Sequence, residues 1–134
     1  MLPIAGVYEV AIRVKALPRA EAFYCGVLGL DVGLRDAKRP WLFLRAGGAS
    51  GMIVLQEDTG EWPLQHFAFT VGAGDMERAT ALLRERGIAV RGPVFIGWMP
   101  AWCLYFQDPD GHALELCAPL PVGESATARP ARVE

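Results

Sequence analysis

One order of secondary-structure signals occurs twice along this chain, and no other feature limits its possible folds as strongly. In each half a strand precedes a helix, and three short strands follow the helix. The first half predicts these elements at Val7–Val14, Pro18–Leu28, Leu30–Leu34, Trp41–Arg45 and Met52–Gln56. The second half predicts them at Leu64–Val71, between Asp75 and Gly87, and at Ile88–Val90 (or as far as Val94), Trp102–Phe106 and Ala113–Cys117. One such unit cannot bury both faces of its sheet, so we predict an α+β fold in which two βαβββ modules pack together.

Length and composition favour one small domain. The 134 residues are 52% hydrophobic and 21% charged, with a formal net charge of -2, which argues against disorder and against a nucleic-acid partner. We expect the domain at 1–119, with modules at about 5–57 and 64–119, and a disordered tail at 120–134. The chain shows no signal-peptide pattern and no apolar stretch long enough to span a bilayer, so we expect a cytoplasmic protein without a membrane partner.

The three cysteines, Cys25, Cys103 and Cys117, are scattered and lack CxxC spacing. This pattern argues against a disulfide framework and against a thiolate zinc site. We expect reduced and mostly buried thiols. A reactive Cys103 is the alternative.

Three polar residues interrupt the predicted strands: Glu9, His66 and Glu115. Each alternates with apolar neighbours, so each lies on the mixed face of its strand. Two carboxylates beside one imidazole suit a divalent cation such as Mn, Fe, Ni or Zn, because the carboxylates otherwise repel each other. In the simpler alternative, Glu9 pairs with Arg13 or another cation. Glu115 then ends in solvent, and His66 bonds a backbone carbonyl.

The segment Asp108–Gly111 reads Asp-Pro-Asp-Gly, with proline second and glycine fourth. This order is typical of a type I turn, so we predict that the last two strands form a hairpin. His112 follows the turn and lies three positions from Glu115, on the opposite face. We therefore expect His112 to be exposed.

Two tryptophans, Trp98 and Trp102, flank a proline before the seventh strand. Aromatic walls suit planar or apolar ligands, so both residues are candidates for contact with a small-molecule substrate. The alternative is that they fill a dimer interface or the core. Trp62, in the connection between the modules, is a candidate for covering the mouth of a cavity.

Four segments together resemble the glyoxalase/bleomycin resistance/extradiol dioxygenase (vicinal oxygen chelate) superfamily. They are Val7–Val14 (VYEVAIRV), Ala22–Leu30 (AFYCGVLGL), Leu64–Phe69 (LQHFAF) and Asp108–Leu116 (DPDGHALEL). The resemblance covers about residues 5 to 119. It implies that the two βαβββ modules form a curled mixed sheet around a cavity with the helices outside, that central strands hold a metal, and that the protein is a homodimer.

The resemblance assigns one divalent metal, Zn, Ni, Mn or Fe, to Glu9, His66 and Glu115. The first-strand ligand position of the superfamily, generally His or Gln, falls on Glu9, and the fifth-strand His falls on His66. The last-strand Glu falls on Glu115. Glu9 is thus a departure, and it weakens the dioxygenase interpretation most, because those enzymes use two His and one carboxylate.

Other family positions match unevenly. Arg13 corresponds to an arginine that glyoxalase I uses toward the glutathione carboxylate, and Tyr105 corresponds to a tyrosine of the fosfomycin-modifying relatives, so both are candidate substrate contacts. The fourth-strand Glu that glyoxalase I uses in proton transfer falls near Val54, and Gln56 is the nearest polar residue on that face.

The resemblance implies a metal-dependent lyase or isomerase that acts on a small molecule with two neighbouring oxygens through a chelated enolate. Glu9 and Glu115 are the candidate catalytic bases. The alternative is a metal-free protein that binds a drug or metabolite, like the bleomycin-resistance relatives. A second alternative is an extradiol dioxygenase.

Overall fold

The computed structural model describes residues 1–48 and 51–120, and its elements follow the predicted order. The predicted tail at 120–134 lies outside these residues except for Leu120. The chain divides into two compact units, Met1–Pro63 and a second that begins at Leu64. The single domain expected from length stays a prediction.

The first unit is one βαβββ module. Its elements are β1 (Glu9–Val14), α1 (Leu17–Glu21, continued by a π-helical stretch at Ala22–Val27), β2 (Asp31–Arg35), β3 (Trp41–Arg45) and β4 (Met52–Glu57). The strand order is β1-β4-β3-β2; β1 runs parallel to β4, and the other pairs are antiparallel. Pro18 lies in the first turn of α1, as predicted, where its missing N–H is not needed.

The second unit repeats this architecture. Its elements are β5 (His66–Thr70), α2 (Met76–Glu85), β6 (Arg91–Ile96), β7 (Ala101–Gln107) and β8 (Ala113–Pro119). The strand order is β5-β8-β7-β6, again with one parallel pair, β5 and β8. The prediction of an α+β fold with two βαβββ modules is therefore confirmed. No helix in the described part of the chain is long and apolar enough to cross a membrane.

The sixth strand, predicted at Ile88–Val90 or as far as Val94, is present only in its extension, since β6 begins at Arg91 and ends at Ile96. The cause is the end of α2. Gly87 adopts a φ of +79°, and the Ile88 N–H donates to the Leu83 carbonyl at 2.9 Å. This bond is typical of a helix that ends on a left-handed glycine, so Ile88 belongs to the helix cap and not to a strand.

Strand alternation predicts the buried face of β1 at two of its three aliphatic positions. Ile12 and Val14 are 2% and 0% exposed, whereas Val10 on the same face is 39% exposed; Glu9 and Arg13 on the other face are exposed. In the second unit the equivalent core residues are also buried: Leu104, Phe106, Leu114 and Leu116 from β7 and β8, and Met76 and Leu83 from α2. Each sheet thus has one apolar face, and the polar candidates lie on the other.

The predicted hairpin between β7 and β8 is present. The Gly111 N–H donates to the Asp108 carbonyl at 3.0 Å, which closes the turn. The Asp108 carboxylate accepts the N–H groups of Asp110 and His112, both at 2.9 Å. Asp108 is only 5% exposed, so this carboxylate is an internal cap of the turn.

The expectation that His112 is exposed is wrong. Its side chain is 0% exposed, and its Nδ1 accepts the Gln65 N–H at 2.9 Å. The Ala113 N–H in turn donates to the Gln65 carbonyl at 2.9 Å. His112 therefore joins the residue before β5 to the start of β8 and supports the register of this strand pair.

The turn between β2 and β3 carries an acid-sensitive carboxylate, Asp36. It accepts the N–H groups of Lys38 and Arg39 at 2.8 and 2.9 Å and pairs with the Arg39 guanidinium at 2.7 Å. These bonds, with that from the Lys38 N–H the largest contributor, lower the pKa of Asp36 from 3.8 to about 2.

Asp36→Asn is expected to reduce the loss of folding stability that occurs as the pH falls from 5 to 2. Because the folded-state pKa is the lower one, the carboxylate stabilises the fold above its unfolded pKa of 3.8, and this contribution is lost as the pH falls through about 2. The urea midpoint, measured between pH 5 and pH 2, should fall less in the variant than in the wild type. Glu85→Gln, which removes an exposed charge from α2, should leave the slope unchanged. Equal slopes in wild type and Asp36→Asn would contradict this assignment.

Candidate functional site

The polar side chains of the second unit gather on one face of its sheet. The strand register places Ala68 of β5 and Tyr105 of β7 on either side of Glu115 in β8. Cys103 lies opposite Cys117 in the same hairpin. Side chains of paired residues point to the same side of a sheet, so these groups share one face with His66. We call this set, His66, Cys103, Tyr105, Glu115 and Cys117, the polar face.

The closest polar contact on the polar face joins His66 and Glu115. The Nε2 atom of His66 lies 2.5 Å from Oε2 of Glu115, and the side chains are 57% and 11% exposed. Nδ1 of the same ring lies 3.1 Å from the Ala113 carbonyl. Because a carbonyl only accepts, Nδ1 is the donor of this bond, and Nε2 is the ring nitrogen that faces the carboxylate.

Two thiols continue the polar face beyond Glu115. Sγ of Cys117 lies 3.4 Å from Oε1 of Glu115 and 3.1 Å from Sγ of Cys103. Both cysteines are free; Cys103 is buried, as expected, whereas Cys117, like Cys25 in the first unit, is only half-buried. Burial raises the pKa of both thiols, and at Cys117 the Cys103 thiol and the Glu115 carboxylate raise the pKa further.

A phenol and a guanidinium border the polar face on the side of β6. Tyr105 lies opposite Glu115 in the register, and Arg91 lies over its ring, with the guanidinium carbon 4.4 Å from the ring centroid. Burial raises the pKa of Tyr105, and the charge of Glu115 raises the pKa further. Tyr105 is therefore a neutral hydrogen-bond donor at neutral pH.

The two predicted tryptophans do not lie together on the polar face. Trp102 pairs with Ala118 and packs on Phe95 at a centroid distance of 5.5 Å, so it projects from the opposite face of β7 to Cys103. Its Nε1 is buried and has no hydrogen-bond partner among the described residues. Trp98 lies in the turn before β7 and is 86% exposed.

Glu9 and Arg13 lie in the first unit, on the face of β1 that does not enter its core. Glu9 is exposed and lies opposite Met52. Arg13 forms an ion pair with Asp58, whose pKa is lowered first by the Gly60 N–H and then by Arg13. The simpler alternative paired Arg13 with Glu9, whereas the ion pair described for Arg13 is with Asp58.

The family position of the glyoxalase I base is apolar in this chain. Val54 lies opposite Ala11 in the sheet and is 1% exposed, and Gln56 lies opposite Arg13. The described first unit therefore presents an aliphatic side chain, which cannot transfer a proton, near the position where that enzyme has its Glu.

Sequence reasoning missed the thiol–carboxylate cluster of Cys103, Glu115 and Cys117. One donor atom from each of these residues lies within 4.8 Å of the other two, an arrangement that could hold a metal ion. The signal was present in the hairpin turn. The turn pairs Gln107 with Ala113, and counting outward from that pair brings Cys103 opposite Cys117.

Known proteins resemble this chain in sequence and in fold. A catechol-2,3-dioxygenase of Bacillus subtilis (strain 168) is 30% identical over 121 residues, which are 82% of this chain; the chain spans only 40% of that relative. An integron cassette protein from the mobile metagenome of the Halifax Harbour sewage outfall is 46% identical, with a TM-score of 0.82 over 86% of this chain and 99% of that one.

Two further solved structures show the range of this fold. An antibiotic-binding protein from Streptomyces sp. CB03234 is 26% identical, with a TM-score of 0.73 over 90% of this chain and 100% of that one. A lactoylglutathione lyase from Agrobacterium tumefaciens shares the fold at 22% identity, with a TM-score of 0.73 over 87% of this chain and 96% of that one.

A family model for the Glyoxalase/Bleomycin resistance protein/Dioxygenase superfamily matches residues 6–116. This match covers most of the chain and agrees with the two βαβββ modules. The chain therefore belongs to the Glyoxalase/Bleomycin resistance protein/Dioxygenase superfamily.

Proposed function

We propose that this protein binds one divalent metal ion through His66 and Glu115 and acts on a small molecule that carries two neighbouring oxygens. The proposed chemistry is that of a lyase or isomerase. The observation that carries the proposal is the contact of 2.5 Å between Nε2 of His66 and Oε2 of Glu115, made by a ring whose Nδ1 is already held by a carbonyl. Metal-ligating histidines commonly have their second nitrogen fixed in this way.

The donors on the polar face fit such an ion. One imidazole nitrogen and one carboxylate oxygen suit Zn, Ni, Mn or Fe, and the low exposure of Glu115 favours a partner for its charge. Glu9 is the proposed further ligand and candidate base. This role follows from the resemblance and stays a prediction.

The chain's own residues would orient the substrate and move its proton. A bound divalent ion would supply Lewis-acid stabilisation of negative charge on the substrate oxygens. Tyr105, a neutral phenol beside Glu115, would donate a hydrogen bond to one of those oxygens, and Arg91 would hold its ring in place. The Glu115 carboxylate, which lies 2.5 Å from Nε2 of His66, is the proposed proton acceptor in the second unit.

Metal content after reconstitution tests the proposal. We expect near one ion per chain by elemental analysis after exposure to Mn²⁺, Fe²⁺, Ni²⁺ or Zn²⁺. Glu115→Ala should lower this value, whereas Glu77→Gln, at an exposed position of α2, should not. Failure of all four ions to bind would overturn the metal-dependent function.

A metal-free binding protein is the second candidate. It is favoured by the antibiotic-binding protein at 26% identity and by the apolar Val54 at the position of the glyoxalase I base. Trp98, with 86% of its surface exposed, is free to stack on a planar ligand. Glu9→Gln separates the two candidates, since loss of both ion and turnover supports the enzyme, and unchanged ligand affinity supports the binder.

An extradiol dioxygenase is supported less well, despite the catechol-2,3-dioxygenase relative. Such sites use two histidines and one carboxylate. The chain has two histidines, and His112 is buried with its Nδ1 bonded to the Gln65 N–H. Turnover of a catechol by the Fe²⁺-loaded protein in air would favour the dioxygenase.

The proposed enzyme is a cytoplasmic homodimer. Apolar side chains on the first sheet support an interface, since Val10, Val32 and Leu34 are 39%, 42% and 58% exposed. Sedimentation analysis at micromolar concentration tests this assembly, and a monomer throughout would contradict it.

A further inference from the structure

We propose that the second unit contains a site for a thiophilic metal ion, formed by Cys103, Cys117 and Glu115. This site goes beyond the proposed function, because it uses the two thiols and does not require Glu9. Its ligand is a soft or borderline ion such as Cd²⁺ or Zn²⁺ in place of the harder Mn²⁺.

The geometry brings the three donors to one point. The two Sγ atoms lie 3.1 Å apart, Cys117 lies 3.4 Å from Oε1 of Glu115, and one donor atom from each residue lies within 4.8 Å of the others. Two Zn–S bonds in a tetrahedral site require sulfurs about 3.7 Å apart. The thiols must therefore separate by only a fraction of an ångström to admit an ion between them.

The surroundings complete the coordination. Glu115 offers its two oxygens in different directions, since Oε1 faces Cys117 and Oε2 lies 2.5 Å from Nε2 of His66. An ion bound to the thiols and Oε1 would thus have a carboxylate that is itself held by an imidazole. A water molecule would supply the fourth ligand of a tetrahedral ion.

The strands that carry these donors are rigidly paired. Cys103 and Cys117 are directly opposed in the β7–β8 hairpin, and Cys103 is 0% exposed. The protein therefore need not rearrange its backbone to assemble the site, which lowers the cost of binding. Cysteine thiolates select such ions over Mg²⁺, Ca²⁺ and Mn²⁺.

Titration of the reduced protein with Cd²⁺ alone tests the site. We expect binding of one Cd²⁺ per chain with a thiolate-to-cadmium charge-transfer band in the ultraviolet. Cys103→Ser and Cys117→Ser should each abolish the band and weaken binding by about 100-fold or more. Cys25→Ser, which removes the cysteine of the first unit, is the matched control and should retain the band.

A second measurement uses the wild type and so does not depend on the folding of the variants. Bound Cd²⁺ should protect Cys103 and Cys117 from alkylation, read by mass spectrometry, and leave the reaction of Cys25 unchanged. Binding of Cd²⁺ without the charge-transfer band, or equal alkylation of all three thiols with and without Cd²⁺, would overturn the site.

The two metal proposals fail separately. Absence of Mn²⁺ binding in the wild type, with an intact cadmium band, would leave the thiophilic site standing alone. Binding of Mn²⁺ in the wild type without any cadmium band would leave only the proposed function.

Discussion

His66→Ala is expected to weaken the binding of Mn²⁺ or Ni²⁺ by about 100-fold or more, because it removes a proposed direct ligand and loss of an indirect partner alone costs about 10- to 100-fold. The ring is pre-set for this role. Its Nδ1 lies 3.1 Å from the Ala113 carbonyl, so Nε2 is held toward Glu115 without further ordering. Isothermal titration of the apoprotein with each ion measures the change.

The matched control for His66→Ala is Thr70→Ala. Thr70 lies on the same strand, on the same side by alternation, and is exposed. Its loss should leave the affinity within about twofold of the wild type, since it is not a proposed ligand. If both variants bound Mn²⁺ as tightly as the wild type, His66 would be a surface histidine that pairs with Glu115 for structural reasons alone.

Strand alternation was sufficient to predict that His66 and Glu115 share a face. Each lies in a short strand whose neighbours are apolar, and the period of two fixes the side on which it points. Alternation could not predict their distance. That distance depends on the register between β5 and β8, which are separated by most of the second unit and are aligned by the bonds between Gln65, His112 and Ala113.

The thiol cluster shows the limit of spacing rules. Cys103 and Cys117 are 14 residues apart, so no CxxC pattern relates them. The hairpin turn at Asp108–Gly111 nevertheless determines which residues of β7 and β8 face each other. If the facing residue pairs of the hairpin are counted outward from the turn, Cys103 falls opposite Cys117. A search for short cysteine motifs does not find this pair.

The same argument explains the positions of Trp102 and His112. Trp102 is adjacent to Cys103 in sequence, and adjacent strand residues point to opposite faces, so Trp102 lies on the other face of β7 from the polar face. His112 follows a turn, where exposure is the common outcome. Its burial results from a tertiary bond to Gln65, which no local pattern reveals.

The contribution of His112 to stability is the second large effect. We expect His112→Ala to lower the free energy of unfolding by about 3 kcal/mol, because it leaves the Gln65 N–H without its acceptor and opens a cavity at a fully buried position. His112→Phe keeps most of the volume but still lacks the acceptor, so it should cost about 1–3 kcal/mol. Urea denaturation followed by circular dichroism measures both values.

Gln107→Ala is the control in the same hairpin. Gln107 is exposed at the end of β7, and its loss should change the free energy of unfolding by less than about 0.5 kcal/mol. A change of that size in His112→Ala as well would show that the bond to Gln65 contributes nothing net.

Substitution of the two histidines should have different effects: His112→Ala should lower stability, and His66→Ala should remove the bound ion. His112→Ala protein that remains folded should still bind one ion, since Nδ1 of His112 is committed to the Gln65 N–H. His66→Ala should lose the ion while the protein remains folded, because the His66 side chain is itself largely exposed. If His112→Ala lost the ion while fully folded, the register of β5 against β8 would itself set the distance between His66 and Glu115. The structural histidine would then act as a positioning residue for the site.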